Sequence, residues 1–400
     1  MHCDDYWFYY RLETWEITMS AIELVDELLL EAFAKRASDI HLESVPDGLR
    51  VRLRVDGLMF DHQTFNKELA AQILARIKIL SHLDVAERRM PQDGKFCSAA
   101  PHGSVDLRVS SFPNLYGEKI VIRILERSGA QKTLDEIGFS PEVLKQFKMI
   151  IGRATGFFIV TGPTGAGKTT TLYGALSFLN HPTKNISTLE DPVEYIIDGI
   201  TQSQVHPDIG FTFDRGIRSL LRQDPDIIMV GEIRDRETAE VSIQAALTGH
   251  MVLSTLHTND APSSIIRLLD MGVPPFLINA TLSGVLAQRL VRVLCPACRQ
   301  LTHPSDAERE FLQYIKLPIN SCFKPVGCEQ CEGRGYRGRT GIFELLTMTQ
   351  ALRELINEHV AYDDLVKQAC NEGMIPLRYD AQHKIEAGIT SIEELARVIW

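Results

Sequence analysis

The run Gly162-Pro163-Thr164-Gly165-Ala166-Gly167-Lys168-Thr169 follows the pattern G-x-x-x-x-G-K-[ST] position for position, and that pattern cradles the phosphates of a nucleoside triphosphate. Glycines let successive backbone N–H groups converge on phosphate oxygens, and a following helix N-terminus adds partial positive charge. Lys168 then reaches the outer phosphates, and the Thr169 hydroxyl faces Mg²⁺. A glycine-rich turn with a chance lysine has the same letters, so the flanks decide. Phe157 to Thr161 is a short apolar run that predicts a buried strand, and Thr170 to Leu179, rich in Leu and Ala, predicts a helix. Strand, loop and helix in that order make Gly162 to Thr170 a nucleotide site, with ATP and Mg²⁺ as the expected occupants.

Hydrolysis needs carboxylates beside the loop and cations opposite the charge that develops on phosphate. Glu190, Asp191 and Glu194 stand within five residues, directly after the apolar run Ile186 to Leu189. Acids that close repel one another without a cation or reacting water among them, which predicts a nucleotide-side cluster rather than a solvated loop. Asp226-Ile227-Ile228-Met229-Val230-Gly231-Glu232 is an apolar strand followed by an acid, as a Walker B strand requires, with the acid displaced one place by Gly231. Glu232 is expected to reach Mg²⁺ directly or through water. Arg108, Arg123, Arg218, Arg222 and Arg234 are candidates for the phosphate, each with the alternative of an ordinary surface arginine. His250 and His257 bracket the run Met251 to Leu256. The carboxyl end carries His257, the candidate sensor; His250 is expected to be a hydrogen-bonded structural residue.

Cys295-Pro296-Ala297-Cys298 and Cys328-Glu329-Gln330-Cys331 form two C-x₂-C pairs 29 residues apart. Four thiolates in two such pairs suit a closed, structural, tetrahedral Zn²⁺ site, although the gap exceeds the usual spacing; a redox pair would need only one of them. Cys322 lies near without a partner.

Positioning these residues takes several elements. Ser20 can cap a helix with Ile22, Val25, Leu29 and Phe33 on one face. Leu49, Val51, Leu53 and Val55 alternate with Arg50, Arg52 and Arg54 as a half-buried strand whose arginine face is expected to be solvated. A helix over Leu69 to Leu83 and strands over Val105 to Ser110 and Lys119 to Leu125 complete an α+β domain spanning 20–127. A linker is expected over 128–140. Apolar strands alternating with helices over 141–294 predict a mostly parallel sheet covered on both faces, with the nucleotide at the carboxyl ends of the strands. A metal-stapled segment over 295–340 and a helical region over 341–400 follow.

The composition, 44% hydrophobic and 24% charged, excludes a disordered or fibrous chain, and the net charge of −10 argues against broad nucleic-acid binding. No run approaches the ~18 apolar residues of a spanning helix. Residues 1–19 hold the aromatic run Tyr6 to Tyr10 without a basic start or cleavage site, so they are read as an irregular terminus or a docking peptide, not a signal peptide. With no secretory signal, the clustered cysteines point to a cytoplasmic protein.

Together these stretches resemble the cytoplasmic ATPases of type II secretion and type IV pilus assembly, the GspE-like motors, from about Ala37 to Leu346. The residues concerned are Ala37-Ser38-Asp39-Ile40-His41-Leu42-Glu43, Pro91 to Gly94, Leu107 to Ser110, Gly117 to Lys119, the acidic box Glu190 to Tyr195, Leu221 to Asp235 and the histidine box Thr248 to Asn259. The resemblance implies a RecA-like ATPase domain preceded by a smaller PAS-like α+β domain, a homo-hexamer, and ATP bound between the two domains. It implies Arg108 and Arg123 on the γ-phosphate, Glu194 as general base and Glu232 as the Walker B acid. Lys95 stands where many members have arginine. The four cysteines and Val285-Leu286-Ala287-Gln288-Arg289-Leu290-Val291-Arg292 look most like the type II secretion branch. The expected role is a hexameric motor for pseudopilus assembly and protein export, recruited to the inner-membrane platform protein and its cytoplasmic linker protein. Residues 1–19 are too short for the front domain that docks other members there. Pilus extension, a RecA-like nucleic-acid translocase and a non-hydrolysing scaffold are the alternatives.

Overall fold

The computed structural model describes residues 20–101, 103–125, 132–357 and 361–399. The aromatic run at Tyr6 to Tyr10 and the linker residues Ser128 to Gln131 lie outside them. The chain forms two compact units, Met1–Ala130 and Gln131–Trp400.

In the first unit, helix α1 (Ala21–Ala34) starts at a capping box in which Ser20 and Glu23 satisfy each other's backbone N–H groups. Strands β1 (Ala37–Val45), β2 (Gly48–Val55) and β3 (Leu58–Asn66), helix α2 (Lys67–Leu80), and strands β4 (Gln92–Ala100), β5 (Gly103–Asn114) and β6 (Gly117–Leu125) follow. All six strands pair antiparallel in the order β3-β2-β1-β6-β5-β4. One face packs Ile40, Leu42, Val51, Leu107 and Ile122 against Leu28 of α1 and Ile73 of α2. The two sheet edges are β3, which the hairpin signal Asp56-Gly57 after β2 anticipates without giving its extent, and β4, in which Gly94 reads from sequence as a turn but pairs opposite Val109. Neither has a fully buried residue, and in neither do apolar and polar residue types alternate along the sequence in the way by which a strand is read.

The second unit contains α3 (Pro141–Ile151), β7 (Gly156–Thr161), α4 (Lys168–Leu179), β8 (Ile186–Glu190), β9 (Thr201–Gln204), α5 (Phe213–Leu220), β10 (Ile227–Val230), α6 (Arg236–Leu247), β11 (Met251–Leu256), α7 (Ala261–Asp270), α8 (Pro275–Thr281) and β12 (Leu282–Leu294). After these come β13 (Gln300–Thr302), α9 (Asp306–Tyr314), β14 (Cys322–Lys324), β15 (Tyr336–Thr347), α10 (Gln350–Asn357), α11 (Tyr362–Asn371), α12 (Leu377–Glu386) and α13 (Ile392–Ile399). The main sheet has the order β15-β12-β7-β11-β10-β8-β9. Its strands pair in parallel except for β15, which runs antiparallel to β12 along one edge. Every residue of β7, β8, β10 and β11 is buried, the burial expected of a sheet covered on both faces.

The structure departs from the pattern-based reading at three places. Residues 132–140 are not a free tether: Leu134 and Ile137 are buried in the core beneath α4 and β7. The segment after Thr340 opens with most of β15, not with a helix. The C-terminal helices are not appended either, because Leu352, Leu365, Ala381 and Leu395 belong to the same apolar core as β11 and β12. Long buried runs such as β12 give no period by which to distinguish strand from helix. Among the described residues no helix is long and apolar enough to cross a membrane.

Buried charged groups tie the C-terminal helices down. Arg292 of β12 donates to Glu394 of α13 at 2.8 Å, with Arg292 8% and Glu394 0% exposed at their side chains, and its guanidinium lies 3.8 Å from the Tyr336 ring centroid. Glu344 of β15 accepts from the N–H of Ala261 at 2.7 Å and of Leu377 at 3.2 Å, at the starts of α7 and α12. Burial first, and the Asp260 carboxylate as well, push Glu344 up to about 7 against the Ala261 N–H.

Glu394→Ala leaves the buried Arg292 with only the exposed Glu393 carboxylate at 3.9 Å; we expect a loss of about 3 kcal/mol in denaturant unfolding, and an unchanged midpoint would contradict this account. Because the Glu344 pKa is raised, its contribution to stability is complete below the unfolded value and is lost as pH rises through about 7. Glu344→Gln should flatten the decline of Tm over that window; an unaltered Tm–pH curve would show that Glu344 is not its source.

Candidate nucleotide site and tetracysteine cluster

The carboxyl ends of β7, β8, β10 and β11 bring the chemistry-bearing residues of the second unit to one edge. β7 ends at Thr161, and the loop Gly162 to Gly167 leads into α4 at Lys168. Gly167, the residue before the helix, has φ +87°, a left-handed conformation that glycine adopts without a Cβ penalty. Gly162 is required for another reason: a Cβ there would lie 2.5 Å from the Gln288 carbonyl oxygen.

Lys168 is buried, and its Nζ donates to the carbonyls of Gly162 at 2.8 Å and Pro163 at 3.2 Å. Burial lowers its pKa to about 8, with the Arg289 charge assisting and the Glu232 charge opposing. A phosphate arriving in the loop would supply the negative charge that this ammonium lacks. Thr169 and Thr170 are exposed at the start of α4, as are Pro163, Thr164 and Gly165 in the loop.

Glu232 follows β10. Gly231 precedes it because the ends of β8 and β10 pinch together there: its N–H donates to Leu189 at 2.8 Å, and a Cβ would stand 3.2 Å from that oxygen. Glu232 pairs with Arg234 at 2.6 Å and lies 3.6 Å from Nε2 of His257. Burial and then the Lys168 charge hold His257 below its usual pKa, with Glu232 opposing. His257 therefore lies beside Glu232 and feels the charge of Lys168. His250 is elsewhere, its Nδ1 2.8 Å from the Ala245 carbonyl at the other end of β11.

The acidic box divides by burial. Glu190 is buried, and its oxygens accept from Tyr173, from Thr188 at 2.6 Å and from Gln202 at 3.2 Å. The Tyr173 hydroxyl also accepts from the N–H of Glu194 at 3.2 Å. Glu190 thus braces the loop through Tyr173, while Asp191 and Glu194 are exposed on it. Thr188 is a neighbour on the same strand, but Tyr173 and Gln202 come from other elements, and no local pattern announces them. Of the arginines in this unit, Arg234 reaches the site; Arg222 folds back onto the Arg218 carbonyl at 2.8 Å.

In the first unit, cross-strand register sets Lys95 opposite Arg108, Arg108 opposite Arg123, Arg123 opposite Asp39, and Asp39 opposite Arg54. The row holds four cations and one acid on the face away from the helices. Asp39 accepts from Arg123 at 3.1 Å and pairs with Arg54 at 3.5 Å. Like charges directly opposite destabilise a sheet, so the row has the composition of an anion-facing surface. Further along this face, Arg50 with Asp61 and Arg52 with Glu43 are ion pairs, so these arginines are neutralised by side chains and not solely by water.

Cys295 and Cys298 follow β12, and Cys328 and Cys331 precede β15. The antiparallel pairing of those strands, with Leu294 opposite Tyr336, closes the 29-residue gap that sequence spacing left unusual. The four sulfurs lie within 4.8 Å of one another, with Cys295–Cys328 at 3.9 Å, Cys298–Cys331 at 3.8 Å and Cys328–Cys331 at 3.7 Å. A tetrahedron of metal–sulfur bonds of about 2.3 Å has edges of about 3.8 Å, so the four thiols fit Zn²⁺. Cys322 is buried in the apolar core.

The model of the family described as "Type II/IV secretion system protein" matches residues 16–397. The chain is 46% identical over 377 residues to the type II secretion system protein E of Pseudomonas aeruginosa, covering 94% of this chain and 75% of that one. It is 47% identical over 378 residues to the type IV pilus assembly ATPase PilB of Myxococcus xanthus, covering 94% and 67%. Among solved structures, the ATPase DotB of Legionella pneumophila shares the fold with a TM-score of 0.69 at 19% identity, over 96% of both chains. The pilus retraction motor PilT does so at 0.56 and 24%, over 89% of this chain and 95% of that one. With a phosphate loop, a Walker B acid and a histidine box on one sheet edge, and a family match over nearly its whole length, the chain belongs to the type II/IV secretion system protein family.

Proposed function

We propose that this chain hydrolyses ATP to drive type II secretion, and that Glu232, placed between Arg234 and His257 near the P-loop lysine, is the observation that carries the reading most directly. Gly162 to Thr170 hold the triphosphate. Lys168 exchanges its carbonyl partners for phosphate oxygens, and Thr169 and Glu232 hold Mg²⁺. Glu194 serves as general base, Asp191 adds negative charge toward the metal, and Glu190 sets the height of their loop through Tyr173. His257 reports the γ-phosphate to the end of β11. Arg108 and Arg123 are the cations that the resemblance assigns to the γ-phosphate, and the charge of their row supports it.

The working form is a homo-hexamer at the cytoplasmic face of the inner membrane, in contact with the platform protein and its linker protein, and driving pseudopilus assembly. Zn²⁺ on the four cysteines fastens β12 to β15; such sites supply about 10–16 kcal/mol of apparent binding energy toward folding. Type IV pilus extension is the second reading, favoured by a pilus assembly ATPase among relatives of equal identity.

With Mg·ATP, the full chain should turn over; Lys168→Ala should abolish both binding and turnover, and Glu194→Gln should abolish turnover while sparing binding. Parental turnover in Lys168→Ala would refute the site. Metal analysis should find about one zinc per chain that Cys331→Ser removes together with several degrees of Tm; a parent free of zinc would refute the metal reading.

A further inference from the structure

β12 pairs in parallel with β7 from Leu282 opposite Phe157 to Ala287 opposite Thr161. β7 then ends and the phosphate loop begins, while β12 continues. Gln288, the next residue of β12, therefore stands level with the start of the loop and is 1% exposed. Its Nε2 donates to the carbonyl of Ala166 at 2.8 Å, and its Oε1 accepts from the hydroxyl of Thr171 at 2.8 Å. One amide thus joins the last turn of the loop to the first turn of α4, and Thr171 is itself fully buried.

We propose that Gln288 is a positioning residue for nucleotide binding, acting through the Ala166–Gly167 peptide. In a trans peptide the N–H points opposite to the carbonyl. Holding the Ala166 carbonyl toward the buried strand therefore turns the Gly167 N–H away from it, toward the side of the loop on which phosphate is received. Without the amide, this peptide is free to rotate at Gly167, a residue with access to both signs of φ. The loop would then have to order its donors during binding. The adjacent Arg289 completes the strand end: it donates to the Gln288 carbonyl at 3.0 Å and to the Asn259 carbonyl at 2.7 Å, just beyond His257. Two successive residues of β12 accordingly hold the phosphate loop and the histidine loop.

The inference rests on Gly162 to Thr169 being the ATP site, and Lys168→Ala separates the two ideas. Mg·ADP binding is measured by titration calorimetry on the full chain, and kcat and KM are measured with Mg·ATP, for the parent and for Gln288→Leu, Thr171→Val, Thr171→Ser and Lys168→Ala. Gln288→Leu is expected to raise Kd and KM about tenfold, the scale of one hydrogen bond, with kcat per folded chain within about twofold. A role confined to stability would lower the folded fraction and leave Kd per folded chain unchanged. Thr171→Val should shift Kd in the same direction, and Thr171→Ser should restore it. Parental Kd in Gln288→Leu, with binding lost in Lys168→Ala, overturns the positioning role and leaves the site intact. Parental binding in Lys168→Ala overturns the site and the inference with it. If Gln288→Leu does not fold, Thr171→Val decides: a raised Kd supports the role, and a parental Kd overturns it.

Discussion

Strand β12 is the constraint on which the second unit depends. Its thirteen residues are nearly all buried, it pairs with β7 on one side and β15 on the other, and each pairing places a different piece of chemistry. Parallel pairing with β7 sets Gln288 behind the phosphate loop. Antiparallel pairing with β15 brings the two C-x₂-C pairs together at the far end. Arg292 between them reaches the last helix. A one-residue slip of β12 would move each of these side chains to the opposite face of the sheet.

Buried charge is distributed accordingly. Lys168, Glu190, Arg289, Arg292 and Glu344 are all largely removed from water, and burying such groups is costly unless they are bonded. Arg292 and Glu344 are satisfied by partners distant in sequence, and Glu190 by Thr188 beside it together with Tyr173 and Gln202 from other elements. Lys168 differs: its partners are two loop carbonyls, neutral groups that a phosphate can replace. The cost of its burial is thus relieved most when a nucleotide is present, which links the stability of the loop to its occupancy.

The first unit follows another logic. Its helix-covered face is a conventional apolar core, but cross-strand register collects Lys95, Arg108, Arg123 and Arg54 around Asp39 on the opposite face. In sequence these five residues are spread over five strands. The Arg50-Arg52-Arg54 alternation was visible, and its pairing with Glu43 and Asp61 was not, because those acids come from neighbouring strands.

What the sequence determined by itself is local chemistry. The phosphate loop, the acid after β10, the histidines bracketing β11 and the cysteine pairs are each contiguous, and their spacing has a direct physical meaning. The Ser20 cap and the buried strands β7, β8, β10 and β11 were legible for the same reason. Tertiary structure decided whatever depends on register or burial. It gave β3 its extent and made β4 a strand, absorbed residues 132–140 into the core on one face of the main sheet and the C-terminal helices into the other, and closed the 29-residue cysteine gap. It also separated Glu190, consumed by Tyr173, Thr188 and Gln202, from Asp191 and Glu194, which stay exposed. Three neighbouring acids look equivalent in sequence, and only the burial that the fold gives each separates the one that braces the loop from the two that face solvent.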